Sequence, residues 1–169
     1  MNLQNNIDKV LRDLGACTQA REWAKGKTWE EIHTTCHRGD WLLWLFKKTM
    51  VDDEVNLRVL TLAKAHSANT VRHLMKDVRS TDAIDIAIQF GLGNLTLKEL
   101  YEARTAADAA YADAAAYAAY AAAATDAYAA DAAAAAAIAN TYAARTKNQL
   151  ETAGVCRKYL PIEIWNINN

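Results

Sequence analysis

Apolar residues recur at helical spacing along most of the chain, and polar residues fill the opposite faces. In "IDKVLRDLG", Ile7, Val10, Leu11 and Leu14 share one face, and Gly15 ends the run. "CTQAREWAKG" predicts a short helix closed by Gly26. "TWEEIHTTCHRG" opens with Thr28 and Glu31 at capping-box spacing, where each side chain satisfies the other's backbone N–H. Its expected end is Gly39, as a left-handed C-cap. Asp40 is expected to cap the next helix, "WLLWLFKKT", whose lysines sit at the C-terminal end, where the helix dipole favours cations.

From Asp52 to Ala65 the apolar positions are too widely spread for one stripe, which predicts a mostly buried helix. "TVRHLMKDVR" predicts a helix with Val71, Leu74, Met75 and Val78 inward and Arg72, Lys76 and Arg79 on another face. "STDAIDIAIQFG" opens on a Ser/Thr/Asp cluster and closes at Gly91. "LTLKELYEAR" carries a second capping box, Thr96 with Glu99, and runs into an alanine-rich block. No segment alternates apolar and polar residues as a strand would, and the one proline, Pro161, lies near the end. The expected fold class is all-α: a compact helical bundle with long Ala/Tyr-rich helices packed closely as a hairpin.

Alanine fills 24 of the 34 positions from 106 to 139. A membrane span is disfavoured there, because Asp108, Asp113, Asp126 and Asp131 would each cost roughly 2.5–3.5 kcal/mol near a bilayer centre. Disorder is disfavoured because alanine is the best helix former and no glycine or proline interrupts the block. A single helix from Thr96 to Ala153 would reach roughly 85 Å, too long for so small a domain to cover. A break is therefore expected at "AATDAY", capped by Thr125 or Asp126. "DAAYAD" recurs as "DAYAAD" 18 residues on, a whole number of helical turns. Small side chains let two such helices, or two subunits in a homo-oligomer, approach closely, with tyrosines filling the gaps. The expected organisation is one domain over 1–169: short helices to 95, Ala-rich long helices over 96–156, and a C-terminal tail over 157–169.

Composition narrows the function classes. The net charge is −1 and the pI about 6.4, without the basic excess of a general nucleic-acid binder. Cys17, Cys36 and Cys156 share no short motif and read as reduced thiols. The N-terminus has no basic segment followed by an apolar run, so a cytoplasmic location is expected.

Candidate chemistry is sparse. "HTTCH" sets His33 and His37 at i,i+4, but no glutamate follows His33 and no fourth ligand is evident, so no metal or cofactor is expected. Cys36 and His37 are adjacent and point about 100° apart on a helix, poorly placed as nucleophile and base. "GLGN" lacks the strand–loop–helix context of a phosphate loop. No catalytic residue is assigned.

Three candidate binding groups stand out. Trp41 and Trp44 lie at i,i+3 beside Arg38 and Asp40. They read either as core tryptophans with Arg38 and Asp40 pinning the turn, or as a surface for a flat ligand or a partner's hot spot. Arg72, Lys76 and Arg79 form an i, i+4, i+7 basic stripe, either a solvated face paired to acids such as Asp77 or Asp82, or a phosphate or acidic-protein site. Tyr117 and Tyr120, at i,i+3, could edge a groove with that stripe.

The segments "ACTQAREW", "TWEEIHTTCHRGDWLLWL" and "RSTDAIDIA", the Ala/Tyr/Asp block and "RKYLP", in this order, resemble the Ala-rich immunity-protein family of bacterial polymorphic-toxin loci, also met in phages. The resemblance spans nearly the whole chain, and "CHRGDWLLW" is its most specific part. It implies an all-helical, non-enzymatic protein that neutralises a harmful partner, and it transfers no catalytic residues. Two partner classes follow: a toxin domain occluded by the protein surface, or a small nucleotide immune signal sequestered by a phage-encoded sponge.

Overall fold

The computed structural model describes residues 3–75, 77–109, 146–165 and 167. The expected hairpin, its break near Thr125, Tyr117, Tyr120 and Lys76 lie outside the described residues. The chain forms an all-α bundle. Its elements are α1 (Leu3–Asp13), α2 (Thr18–Ala24), α3 (Trp29–Thr35), α4 (Gly39–Thr49), α5 (Glu54–Asn69), a 3₁₀ turn (Arg72–Leu74) and α6 (Val78–Gly91). Residues 97–109 (α7) and 146–159 (α8) are helical, and a final 3₁₀ turn covers Ile162–Ile164. Among the described residues there is no strand, and no helix is long and apolar enough to cross a membrane.

Local chemistry sets the helix ends. The Thr28 hydroxyl accepts from the Glu31 N–H at 3.2 Å, and the Glu31 carboxylate accepts from the Thr28 N–H at 2.7 Å. Thr96 and Glu99 repeat this exchange ahead of α7. α1 ends in a Schellman turn: the Ala16 N–H reaches back to the Leu11 carbonyl and the Gly15 N–H to that of Arg12. Gly15 supplies the left-handed residue at φ +83. Gly93, at φ +87, does the same after α6.

Three expected boundaries are corrected. α3 stops at Thr35, and Gly39 is not a left-handed cap but the first residue of α4. Asp40 lies inside the first turn of α4 rather than at its cap. "TVRHLMKDVR" is not one helix: Arg72–Leu74 form a 3₁₀ turn, Asp77 caps α6, and Val78 is exposed instead of inward. Asp77, accepting from the Arg79 N–H at 2.9 Å, stops any helix from running through. α6 thereby starts ahead of the Ser/Thr/Asp cluster.

The core gathers Leu42 and Phe46 of α4, Leu60 of α5, and Cys156 and Leu160 at the C-terminal end. α5 and α6 pack closely because Gly91 lets the backbones meet; a Cβ there would lie 2.6 Å from Leu62 Cβ. Arg58 of α5 locks the pair, donating to the carbonyls of Phe90 at 2.5 Å and Leu95 at 3.2 Å. It thus ties α5 to the end of α6 and to the connection that leads into α7.

Of the segment from 157, expected as a tail, Leu160 and Trp165 are buried and belong to the core. The Arg157 guanidinium donates to the Cys36 carbonyl at 2.9 Å, and the buried His33 Nε2 donates to the Leu160 carbonyl at 2.9 Å. α8 and the segment after it therefore clamp the connection between α3 and α4.

Candidate functional site

Three short elements bring one aromatic cluster to the surface. α2 contributes Trp23, the α3–α4 connection His37 and Arg38, and α4 Trp41. The Trp23 and Trp41 ring centroids are 6.2 Å apart at 60°. His37 sits 6.1 Å from Trp23, edge-on at 75°, and 6.3 Å from Trp41. These separations and tilts suit aromatic quadrupoles better than face-to-face stacking does. Trp23 and Trp41 are half-buried, and His37 is exposed.

Two cations cover the rings. Lys27 Nζ lies 4.6 Å above Trp23 and donates to the Trp23 carbonyl at 2.7 Å. The Arg38 guanidinium lies 4.6 Å over Trp41. It is also held in a fork by Asp40, Nε to Oδ1 at 2.8 Å and Nη2 to Oδ2 at 2.5 Å. That hydrogen bond lowers the Asp40 pKa and raises that of Arg38, so both stay charged at neutral pH. The first turn of α4 adds favourable dipole for the Asp40 carboxylate.

Trp44 faces the interior side of this cluster. It joins Trp23, Trp41, Cys36 and Leu42 around an apolar cavity of about 30 Å³. A space of that size holds about one water, not an organic ligand.

The structure thus joins Arg38, Asp40, Trp41 and Trp44 in one neighbourhood. It adds Trp23, Lys27 and His37, which sequence reading did not assign. Trp23 and Lys27 stand at i,i+4 around Gly26, a spacing that carried the signal; His37 was recognisable only once α2 met α4.

The basic stripe is corrected. Arg72 lies in the 3₁₀ turn and pairs with Asp85 of α6 at 2.5 and 2.7 Å. Arg79, in the first turn of α6, pairs with Asp77 at 3.0 and 2.6 Å. The helix break between them removes the common face that the i, i+7 spacing assumed. These pairs raise the Arg72 pKa and lower those of Asp85 and Asp77, the last to about 2.

Other chemistry is not assembled. His33 is turned inward to Leu160 while His37 faces the tryptophans, so the two do not converge. Among the described residues no three His, Cys, Asp or Glu side chains group as metal ligands. Burial raises the Cys36 and Cys156 thiols, the latter to about 12, which keeps both protonated. Comparison with protein-family models, curated proteins and solved structures yields no match.

Proposed function

We propose that this chain is a non-enzymatic, cytoplasmic neutralising protein of the immunity type, which binds a harmful protein and occludes it. The observation that carries this reading is the surface cluster of Trp23, His37 and Trp41 with Arg38 laid across it. Tryptophan and arginine dominate protein–protein hot spots because they bury large area while keeping one polar handle. Here the rings brace one another and Asp40 holds Arg38, so little side-chain freedom remains to be lost on binding. Sequestration of a nucleotide at the same place is the weaker reading, since the cavity beneath the tryptophans is about 30 Å³.

The test begins with the tagged chain purified from its native cells and examined by native mass spectrometry. The expected adduct is protein-sized. Expressed alone, that partner should arrest growth; co-expressed with the parent chain, it should not. Trp41→Ala and Arg38→Ala, confirmed to melt like the parent, should each weaken partner binding by about 30-fold, corresponding to a hot-spot loss of about 2 kcal/mol. A bound mass of a few hundred daltons would support sequestration instead. Folded variants that protect as well as the parent would remove this cluster from the interface.

A further inference from the structure

A solvent-open cleft of about 390 Å³ lies between α5, α6 and α7. Its size falls within the usual range for small-molecule sites. Leu57, Leu97 and Leu100 supply aliphatic walls, and Ala83 and Ala87, one turn apart on α6, leave the space between them open. Lys64 of α5 and Arg104 of α7 line the same cleft.

The charges there are unbalanced. Among the described residues Asp108 is the one acid lining the cleft, and it stands 3.7 Å from Arg104. Lys64 has no hydrogen-bond or ion-pair partner among the described residues. Two cations against one acid leave a net charge of +1 among the described lining residues. Desolvation by the cleft walls, then repulsion from Lys47 and Arg104, lowers the Lys64 pKa. An anion placed beside Lys64 would relieve that repulsion.

We infer that this cleft binds a small monoanionic amphiphile, a medium-chain aliphatic carboxylate, with its tail between the leucine and alanine walls and its carboxylate between Lys64 and Arg104. The walls favour a tail over a base: among the described residues Tyr101 is the one aromatic ring lining the cleft, with no second ring opposite it to sandwich a heterocycle. A charge of +1 matches a monocarboxylate, whereas a nucleotide polyphosphate would remain largely unneutralised. The site is separate from the tryptophan cluster and does not depend on the function proposed for it.

Isothermal titration of the purified chain with sodium decanoate, below its micelle concentration, tests this without any protein partner. One equivalent should bind, about ten-fold more tightly than octanoate, since two methylenes fewer are buried in the shorter chain. Lys64→Gln, checked by thermal melting, should weaken decanoate binding at least about ten-fold. Ala87→Phe should abolish it by filling the cleft. Decyltrimethylammonium, with the same tail and inverted charge, should bind at least as weakly as decanoate binds to the Lys64→Gln protein. Absence of heat with decanoate, equal affinity for the cationic probe, or unchanged binding to the Lys64→Gln protein would overturn the assignment. Tighter binding of adenosine monophosphate than of decanoate would overturn the aliphatic class and reassign the cleft to nucleotides.

Discussion

Gly39 illustrates how one residue can be identified correctly as special and for the wrong reason. Read locally, a glycine after "TTCHR" is a helix stop. In the fold it opens α4, and a Cβ would press into Thr152 of α8, with the Thr152 carbonyl carbon 2.6 Å away. The glycine permits a close approach, not a left-handed turn. Gly39→Ala should therefore overpack this crossing and destabilise by about 1–3 kcal/mol, partly offset by alanine's better helix propensity. Urea denaturation measures this directly; a midpoint equal to or above that of the parent would contradict the contact. No local signal could have shown it, because Thr152 lies far along the chain.

At the scale of the element, short-range chemistry was the legible part. Both capping boxes form as read, because donor and acceptor are three residues apart and need no tertiary partner. The basic stripe failed for a related reason. Its i, i+4, i+7 spacing has meaning only on an unbroken helix, and Asp77 starts a new one. Ion pairing of Arg79 and its backbone N–H to Asp77 holds that carboxyl at about 2, below its ordinary 3.8. A carboxyl depressed on folding adds stability above its unfolded value and loses it as pH falls through the folded one. Asp77→Asn should therefore lower the melting temperature at about pH 5, with the difference from the parent shrinking below about pH 4 and vanishing only below about pH 2. A difference independent of pH, or an Asp77 carboxyl titrating by NMR at its ordinary value, would show that the pair does not form in solution.

At the scale of the whole molecule, Arg157, Leu160 and Trp165 tie the C-terminal segment to α3 and α4. Trp165 is 6% exposed, packs edge-on at 5.3 Å from His33 and tilted at 6.4 Å from Phe46, and donates its indole N–H to the Leu160 carbonyl at 3.1 Å. Trp165→Ala should cost about 3–5 kcal/mol, read as a drop in chemical-denaturation midpoint. A neutral result would restore the view of this segment as a tail. Nothing nearby in sequence shows that His33 and Phe46 wait for an indole.

What the sequence determined by itself is the helical class, the two capping-box helix starts, and the presence of tryptophan and arginine around residue 40. These follow from interactions spanning three to five residues, which a single helix already satisfies. The tertiary structure alone decided that Trp23 and His37 join Trp41, that Arg72 and Arg79 turn to separate aspartates, that Leu160 and Trp165 are core, and that Lys64 lines a cleft. Each depends on which helix faces meet, and that choice is made by burial and close packing across distant parts of the chain, where periodicity carries no information about the partner.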